Sequence, residues 1–114
     1  MSFHRIQRIS EDIRRELTAI FRELKDPRLK NGLISIVKVD VTNDLSFCKI
    51  YISELEGLEK AKVAVEGLKS ASGYIKKELG IRLKIRHIPD LIFIATDSIE
   101  YGANISKMLN NLKN

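Results

Sequence analysis

An apolar stripe through residues 58–79 constrains the fold of this chain more than any other feature. Its members follow one another at alternating spacings of three and four residues, which is the period of an α-helix. They are Leu58, Ala61, Val65, Leu68, Ser72, Ile75 and Leu79. Small residues interrupt the helix at Ala71-Ser72-Gly73, where glycine costs about 1 kcal/mol relative to alanine. Because the stripe keeps its phase across the interruption, it predicts two helices joined by a kink and not by an open loop.

The segment after this helix pair carries most of the positive charge. Gly80 is the expected end of the second helix. Residues 81–86 then alternate apolar and cationic side chains, which predicts a strand with one basic face made of Arg82, Lys84 and Arg86. Residues 60–87 have a net charge of +6, whereas the whole chain carries +5. Such a concentrated basic surface indicates a polyanionic partner.

Length and composition predict a single domain, residues 1–114, in a reducing compartment. The one cysteine excludes an internal disulfide. No apolar run is long enough to span a membrane, and the charged N-terminus does not resemble a signal peptide, so we expect a cytoplasmic protein. A sequence pI near 9.4 favours nucleic acid as the partner. A membrane surface fits less well, because no helix combines a basic face with bulky aromatic residues.

The segments before the helix pair predict one helix and two strands. Apolar residues at helical spacing run from Ile6 to Leu24, and Asp26-Pro27 ends that helix. Strands are predicted at 33–41 and 46–53. A short turn at 42–44 joins them, which implies an antiparallel hairpin.

The end of the chain predicts one more strand and one more helix. Ile88-Pro89-Asp90 is a break, and the apolar run Leu91–Ala95 is expected to be the most buried strand. Asp97-Ser98 with Glu100 then has the pattern of a helix N-cap, with the inner face of a last helix from Gly102 to Leu112. The order is therefore helix, strand, strand, helix, kink, helix, strand, helix. It predicts an α+β fold, a three-stranded mixed sheet with helices packed on one face.

This order and several motifs resemble the ribosome-binding factor A family, whose members have a type II KH-like fold. The motifs are Asp26-Pro27-Arg28, Leu33-Ile34-Ser35-Ile36, Asp44-Leu45-Ser46, Ala71-Ser72-Gly73, Glu78-Leu79-Gly80 with Arg82-Leu83, and the run from Asp97 to Gly102. Ordinary KH domains clamp nucleic-acid backbone with a Gly-x-x-Gly loop between two helices. This chain has no such loop, and its Ala71-Ser72-Gly73 matches the Ala-x-Gly interruption of the family instead.

The resemblance implies a non-enzymatic assembly factor. Such a factor binds the precursor ribosomal RNA of the small ribosomal subunit, assists late maturation and rRNA processing, and matters most in the cold. It implies no cofactor and no metal, and we expect a monomer. The candidate RNA-binding residues are Arg5, Arg8, Ser72, Gly73, Lys76, Lys77, Arg82, Lys84 and Arg86. Two alternatives stay open: a general single-stranded RNA-binding KH module, and an adaptor that docks an acidic protein.

Residues that suggest other chemistry have simpler explanations. Cys48 lies on the apolar side of a predicted strand, so we expect a buried thiol. Neither histidine lies at metal-ligand spacing from it. Asp97 and Glu100 are explained by a helix cap rather than by acid–base catalysis. Phe47 and Tyr51 lie on the opposite side of the same strand, where an open sheet face would let them stack on bases.

Overall fold

The computed structural model describes residues 3–29 and 33–97, which form three helices around one side of a three-stranded sheet. The elements are α1 (Phe3–Glu23), β1 (Ile34–Val41), β2 (Phe47–Glu54), α2 (Leu58–Ser70), α3 (Ser72–Leu83) and β3 (Asp90–Ala95). β2 lies in the middle, antiparallel to β1 and parallel to β3. The predicted α+β fold with a mixed sheet is confirmed. The predicted last helix lies outside the described residues.

β2 is the most buried strand because a neighbour pairs with each of its edges and helices cover one of its faces. Cys48, Ile50 and Ile52 are fully buried on that face. α1 packs against β1 and α3, whereas α2 packs against β2 and β3. The prediction that Leu91–Ala95 is the most buried strand was therefore wrong. Of that run only Phe93 is buried, because β3 lies at the edge of the sheet.

α1 anchors the core with one apolar face, and a tight turn at residues 26–29 follows it. Ile13, Leu17 and Ile20 are fully buried along its inner side. After the helix, the Asp26 carboxylate accepts hydrogen bonds from the backbone N–H and the guanidinium of Arg28, the shortest at 2.6 Å. These bonds lower the pKa of Asp26 to about 2. They hold the 26–29 turn, which places Leu29 in the core.

The predicted kink between α2 and α3 is confirmed, and the structure confines it to a single residue. Ala71 lies between the two helices with φ −94° and ψ 6°. Its N–H reaches the carbonyl oxygens of both Gly67 (3.2 Å) and Leu68 (3.1 Å). The helix therefore bends without losing its hydrogen-bond ladder. The apolar stripe stays buried on both sides of the kink, including Val65, Leu68, Ile75 and Leu79.

The predicted basic strand at residues 81–86 does not exist. α3 continues past Gly80 to Leu83, and Lys84 ends it in the left-handed conformation (φ 54°, ψ 36°). The N–H of Lys84 donates to the carbonyl oxygen of Gly80 at 3.0 Å. Residues 85–89 follow without regular structure. The assignment of Gly80 as the helix end and of one face to Arg82, Lys84 and Arg86 was therefore wrong.

Two overlapping periodicities explain this error. Ile75, Leu79 and Leu83 are spaced four residues apart, so they line one side of a helix that packs into the core. The alternating pattern would instead require Ile81 and Ile85 to be covered, yet both are exposed. Since only the helical pattern buries its apolar members, the helix prevails.

Leu79 and Ile81 give a matched test of this assignment. Leu79 is fully buried and Ile81 is 59% exposed on the same helix. Leu79→Ala is expected to lower the free energy of unfolding by about 2–5 kcal/mol, because it leaves a cavity in the core. Ile81→Ala is expected to change it by no more than about 0.5 kcal/mol. Urea unfolding measures both, and equal losses would contradict the helical phase of α3.

Candidate nucleic-acid interface

The first turn of α3 forms a shallow, accessible pocket beside the start of β3. It encloses about 260 Å³ and is lined by Ser72, Gly73, Lys76, Asp90 and Leu91. Gly73 is exposed, and no described atom outside its own helix turn lies within 4 Å of where a Cβ would sit. The backbone φ of Gly73 does not lie in the positive range. Gly73 therefore contributes to this surface through its lack of a side chain and not through an unusual backbone conformation.

A short ion pair crosses this pocket. Lys76 Nζ donates to Asp90 Oδ1 at 2.7 Å, which joins the first turn of α3 to the first residue of β3. The hydrogen bond from Lys76 lowers the pKa of Asp90. Both side chains are substantially solvent-exposed, so the pair contributes little to stability. The Asp90 carboxylate therefore already binds the Lys76 ammonium group and competes with any other anion for it.

Three further predicted site residues are exposed cations on the same part of the chain. Lys77 lies one helical turn after Gly73 on the outer surface of α3. Lys84 caps the helix, and Arg86 lies in the segment that follows. Within residues 3–29 and 33–97, none of the three has an ion pair.

Arg82 has a different environment from its predicted partners. Its guanidinium Nη2 donates to Glu23 Oε1 at 2.7 Å. Its nitrogens also lie 3.6 Å from Glu78 and 3.7 Å from Glu16. The hydrogen bond with Glu23 raises the pKa of Arg82 above its ordinary value. Arg82 thus joins α3 to α1, and its side chain is turned away from the basic surface around Lys77.

Arg5 and Arg8 are exposed near the start of α1, on a different element from the α3 residues. The described residues thus bring together Ser72, Gly73, Lys76 and Lys77, with Lys84 and Arg86 at the far end of α3. Asp90 is the polar member of this surface that sequence reasoning missed. It lies fourteen residues from Lys76, and no local pattern connects the two.

The sheet face that no described helix covers, called the open face below, carries a separate group of aromatic and basic side chains. Tyr51 pairs in register with Lys38, whose Nζ lies 6.0 Å from the centre of the tyrosine ring. Phe47 lies four residues before Tyr51 on β2, hence on the same face, and is 46% exposed. Both aromatic residues therefore lie on the open face as predicted. Their role in base stacking stays a prediction.

Cys48 offers no accessible thiol chemistry. It is fully buried, and burial together with the charge of Asp40 raises the pKa of its thiol to about 12. In the described part of the chain, no group of His, Cys, Asp and Glu side chains is arranged to hold a metal ion. Nor is any described helix both long and apolar enough for a membrane crossing.

Comparison with known proteins decides the family. A family model described as ribosome-binding factor A matches residues 5–109. The chain belongs to the ribosome-binding factor A family. A ribosome-binding factor A from Acetivibrio thermocellus is 49% identical over 107 residues, which are 93% of this chain and 86% of the relative. The family is one of ribosome-binding factors and not a known enzyme family.

Two structures with ribosome-binding factor A in their descriptions are similar to this chain. The solution NMR structure of a Thermotoga maritima protein described as a possible ribosome-binding factor A superimposes with a TM-score of 0.73. It is 26% identical, covering 82% of this chain and 88% of the other. The second is a Thermus thermophilus ribosome-binding factor A homology model fitted into the cryo-EM map of its complex with the 30S subunit. It superimposes with a TM-score of 0.63 at 25% identity, covering 76% of this chain and 90% of the other.

Replacing Arg82 tests its structural role. Arg82→Gln is expected to lower the melting temperature, because Glu16, Glu23 and Glu78 lose the cation that they share. Arg86→Gln removes the same charge from an exposed loop and is expected to leave the melting temperature unchanged. Thermal unfolding by circular dichroism at low salt compares the two. Equal melting temperatures would contradict the role assigned to Arg82.

Proposed function

We propose that this chain binds the precursor ribosomal RNA of the small ribosomal subunit and assists its late maturation without catalysing a reaction. It does so in the cytoplasm as a monomeric, single KH-like domain, with neither cofactor nor metal. The surface that binds the RNA is the outer side of α3 from Ser72 to Arg86. Membership of the ribosome-binding factor A family and the fold shared with a factor in a 30S complex support this proposal.

The observation that carries the proposal is the bare first turn of α3. Gly73 lets a sugar–phosphate backbone approach the helix closely, since no Cβ stands in the way. Lys76 and Lys77 then lie within one turn of that approach and supply the charge. This arrangement replaces the Gly-x-x-Gly clamp that ordinary KH domains use.

Lys84 and Arg86 extend the bound surface along the same RNA. Binding of phosphates by exposed cations sets affinity and its salt dependence, whereas hydrogen bonds to bases set sequence preference. The α3 surface presents mainly cations and no set of side chains suited to reading base edges. Recognition therefore depends on RNA shape, which suits a factor that acts on one folded region of an immature subunit. Arg5 and Arg8 on α1 are secondary phosphate-binding residues in this proposal.

Help with RNA folding explains a cold-dependent requirement. Misfolded RNA helices unfold and rearrange more slowly as temperature falls, so a factor that favours the mature RNA structure matters most in the cold. A chain of this kind is expected to support growth at low temperature in a bacterial strain that lacks its own factor.

A second candidate is an adaptor that docks a protein. It is favoured by Tyr74 and Ile81, which are 48% and 59% exposed, seven residues apart on the outer face of α3. Crosslinking to immature subunits separates the two functions. Adducts from α3 with ribosomal RNA support the RNA function, and adducts with ribosomal protein support the adaptor.

Removing two exposed cations tests the RNA surface. Lys77→Gln with Lys84→Gln is expected to weaken binding to immature small subunits. The log–log salt slope should fall by about 0.7 to 0.9 for each phosphate that is no longer neutralised. The control pair Arg15→Gln with Lys62→Gln removes the same charge from cations that already have ion pairs with acids. If sedimentation binding assays give both pairs the same affinity and slope, the α3 surface is not the RNA surface.

Asp90 gives an opposite test of the same surface. Asp90→Asn is expected to strengthen RNA binding and steepen the salt slope, because it frees Lys76 and removes an anion from the pocket. Asp40→Asn on the open sheet face adds the same unit of charge and serves as the control. The gain from Asp90→Asn should disappear when Lys76→Gln is also present. A gain equal to that of Asp40→Asn would show that only net charge matters.

A further inference from the structure

A groove lies between α1 and the edge of β1 that pairs with no described strand, and the proposed RNA surface does not use it. It encloses about 370 Å³. Its wall on α1 is made by residues four apart along the helix, Arg14, Thr18 and Arg22. Its wall on β1 is the strand edge at residues 34–36. None of the described residues that line the groove is acidic.

The folded helix separates charges that are mixed in the sequence of α1. Glu16 and Glu23 lie on the flank that faces α3, where they contact Arg82. Arg14 and Arg22 line the groove on another side of α1. Arg22 has no hydrogen bond or ion pair to any described residue, and Arg14 has no described acidic partner. A helix that is nearly balanced in charge thus presents two arginines and no acidic residue to the lining of the groove.

Arg14 is held in place at the strand edge. Its Nη2 donates to the carbonyl oxygen of Ile36 at 2.9 Å. A guanidinium has five N–H donors, so four others remain for a ligand. The bond pre-orients the group, which lowers the entropy lost when it binds an anion. Arg22 lies two helical turns further on, about 12 Å along the axis, so the two arginines suit different anionic groups of one extended ligand.

The strand edge itself argues against an added peptide strand as the occupant. Strand addition requires the outward-facing carbonyl groups of the edge, and Arg14 already occupies that of Ile36. The register of β1 with β2 also shifts between Ile36 and Lys38, which breaks the regular edge. RNA needs neither an open carbonyl nor a regular edge, because its phosphates accept hydrogen bonds from arginine directly.

We infer that the groove between α1 and β1 is a second RNA-binding site, in which Arg14 and Arg22 hold phosphates of a ribosomal RNA strand. The inference rests on the proposed function, since it takes ribosomal RNA as the partner. The groove lies at the β1 edge of the sheet and the pocket of the α3 surface at the β3 edge, so the two sites grip separate RNA segments. The protein then holds two parts of the immature subunit in a fixed relation.

The test uses immature small subunits purified from a bacterial strain that lacks its own factor. Arg14→Gln with Arg22→Gln is expected to weaken binding and lower the salt slope by about 1.4 to 1.8, the value for two phosphates released from arginine. The control pair Arg15→Gln with Lys62→Gln removes the same charge. If the groove pair behaves like the control pair, the inference is overturned. If Arg14→Gln unfolds the protein, Arg22→Gln alone decides, and an unchanged slope overturns it.

Comparison with the α3 variants separates the two proposals. If Lys77→Gln with Lys84→Gln weakens binding and the groove pair does not, the α3 surface stands and the groove site falls. The reverse result supports RNA binding by the groove and rules out RNA binding by the α3 surface.

A crosslink identifies the occupant directly. Thr18→Cys places an exposed thiol in the groove for a thiol-directed photocrosslinker, while Cys48 stays buried. An adduct with ribosomal RNA supports the inference. An adduct with ribosomal protein alone, or none, overturns it.

Discussion

Burial of one face of β2 is the constraint on which the rest of this structure depends. Cys48, Ile50 and Ile52 are fully buried on that face, where α1 and α2 meet the sheet. This short chain builds one hydrophobic core, so the apolar faces of all described helices pack against the same side of the three-stranded sheet. The kink at Ala71 follows from this geometry, because α2 lies over β2 and β3 whereas α3 turns to pack against α1.

The same packing divides the basic residues of the chain into two kinds. Arg82 joins α3 to α1 through Glu16 and Glu23, so its charge is satisfied within the domain. Lys77 and Lys84 point outward from the same helix, where their charge can be satisfied by a polyanion. Charge that is continuous in the sequence is therefore structural on one flank of α3 and available on the other. Net charge predicted a polyanionic partner, but the packing decides which cations remain available for one.

Features of this fold that depend on local interactions could be predicted from the sequence, and features that depend on long-range contacts could not. The apolar stripe that includes Val65 and Leu79 predicted the kinked helix pair, because burial at one period leaves a local pattern. The error at residues 81–86 arose where two periods overlap, and only the packing of Leu83 against the core distinguishes them. The partners of Lys76 and Arg82 lie 14 and 59 residues away, so no local signal indicates them. The groove between α1 and β1 was not predicted, because the spacing of Arg14, Thr18 and Arg22 does not show which strand lies opposite them.

The burial of Cys48 makes this domain its own reporter of opening. The thiol is inaccessible and, with its pKa raised to about 12, almost entirely protonated at neutral pH. Since only a thiolate reacts readily with alkylating reagents, modification requires separation of the helices from the central strand. Its rate therefore reports how often the core opens, without any added label. The chain has one cysteine, so each modified molecule records one such event.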